Sequence, residues 1–196
     1  MPHSYFSAPS IDYALLGFLL SKPMHGYEMH QLLQKLPGLS RVWTLKQAML
    51  YAKLEKLEKA GLISPFHEPD QNFIPPRKYL QITENGKTAL EAWIRLPVMK
   101  SRFMRQEFLA KLLLIHQLHP DLLPEVLDKQ ISVTEVWVHG LQVDPPLDPN
   151  NRLEDWLITS FRISQVQAML DWLHKVKIKL SQDPTGPDAL SQTHPS

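Results

Sequence analysis

Residues 43–63 constrain this chain more than any other stretch, because they carry a helix with one apolar stripe and a nearly smooth opposite side. The start is signalled by Thr44, whose hydroxyl is predicted to cap the first free amides while Gln47, three residues on, reaches back to the cap's own amide. Gly61 suits the left-handed conformation just past the last turn, and Leu62 and Ile63 begin an apolar pair that suits a strand entering a core. Leu50, Leu54 and Leu57 recur at spacings of four and three, so they share one buried face. The opposite side carries Ala48, Ala52, Glu55 and Lys59, with Tyr51 at its edge. Alanine is also the best helix former and lysines keep any helix soluble, so this face taken alone fits an ordinary surface helix better than a DNA-reading one. Its other meaning is a backbone able to approach base edges and phosphates in a DNA groove, flanked by Tyr51, Lys53 and Lys56.

The flanking segments favour the groove. Residues 11–20 are too uniformly apolar for a surface helix and too short to span a bilayer, which predicts a central buried helix broken by Pro23. His25-Gly26-Tyr27-Glu28 is predicted to open a second helix with Met29, Leu32, Leu33 and Leu36 inward, closed by Pro37-Gly38. A short second helix, a connection and a longer third helix make a helix-turn-helix. Further on, Tyr79, Leu80, Gln81 and Ile82 suit a returning strand, and Pro65, Pro69, Asp70, Asn72, Pro75 and Pro76 mark the turn between two arms of a wing. Thr83 is predicted to cap a helix over residues 84 to about 95, with Leu90 and Trp93 inward and Pro97 as its stop. The predicted fold is mainly α with a small β-hairpin wing: an N-terminal winged helix-turn-helix followed by a helical C-terminal dimerisation domain.

Leu15-Leu16-Gly17, Pro23 followed by His25-Gly26-Tyr27-Glu28, Leu50-Tyr51 with Leu54, Leu57 and Glu58, Gly61-Leu62-Ile63, Pro75-Pro76-Arg77-Lys78-Tyr79, and Thr83-Glu84 with Gly86 occur in that order. In these elements residues 11–95 resemble the PadR family of bacterial transcriptional regulators. The resemblance implies a homodimer on a palindromic double-stranded DNA operator, usually as a repressor, and in some members an effector site for small aromatic or drug-like molecules. Two positions depart from the family pattern. Ala48 and Ala52 stand where the family often has Gly and Pro around the tyrosine, which preserves the smooth face. Ahead of Pro75 the chain has Asn72, Phe73 and Ile74 in place of glycine and arginine, an apolar wing tip that suits a sugar edge or another part of the protein better than a charged minor groove.

Charge agrees with a nucleic-acid partner for the front half. Residues 1–100 hold 12 Lys/Arg against 8 Asp/Glu, and residues 101–196 hold 9 against 12. The excess is modest, so affinity depends on two winged helices acting together. The candidate DNA contacts are His25 and Tyr27 at the start of the second helix; Thr44, Lys46, Gln47, Ala48, Tyr51, Ala52 and Lys53 on the third; and Arg77 and Lys78 at the wing base, where backbone rather than base contacts are expected. Trp93, at the end of the helix joining the two halves, is the candidate for stacking on a flat effector.

The back half is predicted to be helical and self-associating. Residues 102–118 carry Phe103, Phe108, Leu109, Leu112, Leu113 and Ile115, a stripe wide enough to need more than one partner. A second helix is expected over residues 121–138, a loop over 139–150, and a long helix over 151–180. Dimerisation is assigned to Phe108, Leu112, Ile163, Val166, Leu170 and Leu173, the other outcome being an intramolecular bundle. The expected organisation is a disordered 1–10, a winged helix over 11–96, a helical domain over 97–180 and a disordered tail over 181–196.

Enzymatic chemistry is disfavoured. His116 and His119 are three apart on a helix without an evident third ligand, His25 has no nucleophile to serve, and the seven glycines form no phosphate-cradling loop, so no metal or cofactor is expected. The absence of cysteine fits a reducing compartment, and the lack of a signal or transmembrane run fits a cytoplasmic protein without a membrane partner. The sequence therefore predicts a DNA-binding regulator. The competing class is a winged helix turned to protein contact, using the apolar wing tip and acidic back half without binding DNA.

Overall fold

A computed structural model of the chain describes residues 10–35, 38–66, 78–143 and 153–182. The expected disordered ends lie outside these residues, apart from 10, 181 and 182, which belong to helices. Two compact units are present: residues 10–95 with Met104–Leu118, and Leu96–Phe103 with the residues from 119 onward.

In the first unit, helix α1 (Ser10–Phe18) is the core, with Tyr13, Ala14, Leu15 and Leu16 buried. Around it come strand β1 (Met24–His25), helix α2 (Gly26–Lys35), the single turn α3 (Leu39–Val42) and helix α4 (Gln47–Lys59). Strands β2 (Ile63–Phe66) and β3 (Tyr79–Ile82) and helix α5 (Glu84–Arg95) follow. Leu50, Leu54 and Leu57 of α4 and Leu90 and Trp93 of α5 are buried, so the leucine spacing found the inward faces.

The expected two-armed hairpin is a three-stranded antiparallel sheet in the order β1-β3-β2, because Met24 and His25 pair with Leu80 and Tyr79 on the free edge of β3. Two-residue pairing leaves no periodicity to read. On the other edge Ile63 faces Ile82 and Phe66 faces Tyr79.

The helix expected over 102–118 is interrupted. Ser101–Phe103 forms a 3-10 turn and Met104–Phe108 a π turn before α6 (Leu109–Leu118) begins. The extra residue per turn re-phases the wide stripe, so that Met104 and Phe108 are buried together with Ala110, Lys111, Leu114 and Ile115. Lys111 lies in this core with its Nζ 3.1 Å from Glu107 Oε1; burial pushes its ammonium below the usual lysine range, and Glu107 opposes that.

In the second unit, a 3-10 turn (Pro120–Leu122) leads into α7 (Leu123–Val143). This helix runs on through residues 139–143, where a loop was expected, because Gly140 alone does not stop a helix and the prolines come only at 145 and 146. Helix α8 (Leu153–Gln182) packs on α7 with Val166 and Leu173 buried, and Lys177 pairs with Asp128. Gln130 is fully buried and clamps the strap before the 3-10 turn: its Oε1 accepts from Val98 N at 2.7 Å and its Nε2 donates to Val98 O at 3.1 Å.

The joint between α4, the sheet and α5 is tight. Thr83 Oγ1 donates to Gly61 O at 2.7 Å and accepts from Gly86 N at 3.1 Å, which is the cap the sequence predicts. A Cβ on Gly86 would stand 2.1 Å from Leu62 O, a backbone atom that cannot swing aside. Gly86→Ala is therefore expected to cost about 3 kcal/mol by forcing α5 off the β2 turn. Urea unfolding of the two proteins measures it, and an unchanged midpoint would show that the joint is looser than this geometry.

Candidate nucleic-acid interface

The exposed face of α4 is built by what its other face buries. With Leu50, Leu54 and Leu57 inward, Gln47, Ala48, Met49, Tyr51 and Ala52 are left exposed, Met49 by 52% and Tyr51 by 41%. The helix starts at Gln47 after an extended Lys46, and no side chain caps its first amides. The expected Thr44 cap is therefore corrected: Thr44 is exposed and precedes the helix by three residues, so its hydroxyl does not serve the first turn. The C-terminal signal is borne out by Gly61 at φ 69°, with Gly61 N donating to Glu58 O and Leu62 N to Leu57 O.

Tyr51 is held in place by the start of α2. A Cβ on Gly26 would lie 2.8 Å from the Tyr51 ring, so the glycine of the His-Gly-Tyr motif makes room for the tyrosine of α4. His25 sits on β1, where Nδ1 accepts from Tyr27 N at 3.1 Å and the ring meets Tyr79 edge-on at 6.1 Å. It thus caps α2 from the preceding strand through Nδ1. Tyr27 is exposed. His30 Nε2, 3.1 Å from Leu45 O, ties α2 to the segment entering α4, a contact no spacing rule announces.

The lysines divide into anchors and free charges. Lys53 Nζ lies 2.6 Å from Asp12 Oδ1, and Lys56 Nζ lies 3.6 Å from Oδ2 of the same buried carboxylate. Lys53 was expected beside phosphate; the structure corrects this, because the buried Asp12 carboxylate holds it. Lys78 pairs with Glu58 at 2.7 Å, fastening β3 to α4, and Lys59 pairs with Glu55. Arg41 and Lys46 are exposed and, among the described residues, make no ion pair. Sequence reasoning missed Arg41, which it treated as part of a connection, and Met49, whose place off the leucine stripe was the available signal. Arg77 and the wing tip at Asn72, Phe73 and Ile74 lie outside the described residues.

Trp93 is corrected as well. It is buried, stacks on Tyr13 at 5.5 Å, donates Nε1 to Glu107 at 3.1 Å and has Lys111 Nζ 4.9 Å from its ring centre, so a flat ligand would have to displace these partners. Of the assigned dimer residues, Phe108, Val166 and Leu173 are buried within their own units, and Leu112, Ile163 and Leu170 are half-buried. The exposed large apolar residues of α8 are instead Leu153, Trp156, Leu157, Ile158, Phe161, Trp172 and Ile178.

A buried first helix, a helix-turn pair, an exposed third helix and a small antiparallel sheet in this order define a winged helix-turn-helix. Residues 15–92 match the model of the transcriptional regulator PadR-like family. An uncharacterised protein of Lysinibacillus sphaericus is 32% identical over 85 residues, covering 43% of this chain and 75% of that protein. The chain belongs to the PadR-like family of transcriptional regulators. Among solved structures, Bacillus subtilis PadR in complex with operator DNA is 19% identical, with a TM-score of 0.42 over 88% of this chain and 99% of that one. A PadR family transcription regulator from Clostridium difficile R20291 is 28% identical, with a TM-score of 0.36 over 43% of this chain and 82% of that one.

Lys53→Met is expected to destabilise the first unit by about 2 kcal/mol, less than a fully isolated buried charge would cost because Lys56 remains near Asp12. Chemical unfolding without DNA checks this. A lysine that served only phosphate would leave stability unchanged.

Proposed function

We propose that this regulator binds double-stranded DNA as a homodimer, with α4 in the major groove, and acts as a repressor on a palindromic operator. The observation that carries the reading is the exposed Ala48, Tyr51 and Ala52 face beside an uncapped helix start, with Arg41 and Lys46 free of carboxylates among the described residues. Free amides at a helix N-terminus and unpaired cations both favour phosphate, and small side chains bring the backbone close to base edges. What supports the dimer is α8, where Leu153, Trp156, Leu157, Ile158 and Phe161 are exposed in succession. Two-fold pairing there fits half-sites about one DNA turn, ~34 Å, apart.

The test is a fluorescence titration of DNA upstream of the protein's own gene, repeated over a range of salt. Tyr51→Ala is expected to weaken binding about tenfold with helix content intact. Arg41→Ala with Lys46→Ala removes up to four phosphate contacts per dimer and should flatten the log–log salt slope by up to about 4 units. Binding by the parent that is insensitive to salt, or variants that bind as well as the parent, would favour the protein-contact class.

Assembly is tested separately by sedimentation. Trp156→Asp with Phe161→Asp places two charges on the exposed face and is expected to give monomers that keep the parent's helix content and bind DNA far more weakly. A variant that stays dimeric, or a parent that is monomeric at micromolar concentration, would remove α8 from the interface.

A further inference from the structure

The first two turns of α4 lack the side chains that read guanine best. Bidentate recognition of guanine O6 and N7 needs a free guanidinium or ammonium group, and residues 47–52 carry neither. The lysines further along are engaged, Lys53 and Lys56 on Asp12 and Lys59 on Glu55. Over this stretch the exposed residues are Gln47, Ala48, Met49, Tyr51 and Ala52. Ala48 and Ala52 make the smooth strip, and Tyr51 borders it in the space that Gly26 leaves. Met49 is the member that neither packing nor the smooth strip accounts for. Leu50, Leu54 and Leu57 complete the inward stripe without it, and it stands about 100° round the helix from Leu50 with 52% of its surface exposed. Tyr51 stands equally far round on the other side, so the two side chains border the strip from opposite edges.

One exposed apolar side chain is ordinary on a protein surface. The position of this one is not, because the residues near the N-terminus of a helix lying in the major groove are those that meet base edges. Base pairs present hydrogen-bonding groups there and a single apolar group, the 5-methyl of thymine. A thioether side chain is flexible and polarisable, follows the contour of a methyl closely, and offers no hydrogen bond beyond a weakly accepting sulfur. The backbone beneath it is fixed even though the side chain is pliant. Leu50, its neighbour, is fully buried, and Lys53, one turn on along the same side, lies 2.6 Å from Asp12 Oδ1. The helix therefore cannot roll Met49 away from the strip without breaking that ion pair.

We infer that Met49 is a specificity-determining residue that packs on one thymine 5-methyl in each half-site. The inference rests on the DNA-binding reading above and adds to it what one position of the operator must be. Taking one methyl group out of water is worth about a factor of four in affinity per contact. Cytosine carries hydrogen where thymine carries the methyl, and the purines present only polar groups to the groove, so the contact favours thymine over the other three bases.

The operator for the test is selected from a random DNA pool with the full chain. Each thymine of the half-site is then replaced, in both half-sites at once, by deoxyuridine, which removes the methyl and keeps every hydrogen-bonding group. At one position this is expected to weaken binding by the parent about fifteenfold, a factor of about four from each half-site. Met49→Ala should bind the thymine and uracil operators alike at that position, with its helix content unchanged. Met49→Leu, which keeps an apolar side chain of similar size, should retain most of the difference. A Met49 that only supported the helix would lower affinity for both operators equally and leave the uracil penalty in place, which would overturn the inference. So would a parent indifferent to uracil at every position, or a selected half-site without thymine, and in those cases DNA binding itself stands. A parent that binds no DNA sinks the DNA reading and this inference together.

Discussion

The exposed helix is positioned by a carboxylate that water scarcely reaches. Asp12 sits on the central helix, 1% exposed, and holds Lys53 and Lys56 from α4. Removing an ion from water is costly, so such a pair adds little net stability over an apolar pair of the same shape. What it adds is position. A hydrophobic face of three leucines lets a helix slide or roll over its neighbour at small cost, whereas a charge inside the core is satisfied at one rotation only. Fixing α4 about its own axis decides which side chains face outward, and the smooth face depends on that choice.

Similar devices act on the helix from other directions. Gly26 leaves the space in which the Tyr51 ring lies, His30 reaches Leu45 O at the approach to α4, and Glu58 on α4 holds Lys78, the residue just before β3. At its far end the Gly61 turn is gripped by Thr83, and Gly86 lets α5 come within contact of Leu62 O. Helix, sheet and α5 are thus fastened to one another, the condition for the proposed fit to a DNA groove.

Local chemistry explains what the sequence disclosed. Leu50, Leu54, Leu57, Gly61 and Thr83 act within their own helix or its next turn, and their structural roles follow from spacing and capping rules. Asp12 did not stand out because one acid in an apolar run reads as an interruption, and its partners are 41 and 44 residues away. The β1 pairing, the π turn and the Trp93 cluster with Tyr13, Glu107 and Lys111 are likewise set by distant segments. In α8 the periodic residues Val166 and Leu173 marked the buried side correctly but not the partner, because periodicity reports that a face is covered and not by which helix.

The distribution of paired and unpaired charge bears on how a chain of net charge +1 engages a polyanion. Most lysines of the first unit are neutralised by carboxylates, so long-range attraction from one protomer is weak. Weak attraction per copy places the burden of the proposed DNA binding on short-range fit, on helix-terminal amides and on two copies acting at once. In the proposed homodimer, two-fold repetition doubles the number of phosphate contacts without requiring a more basic surface, and it ties affinity to the assembly state of α8. In the proposed dimer, a modest shift in how two copies meet removes one of the two weak halves.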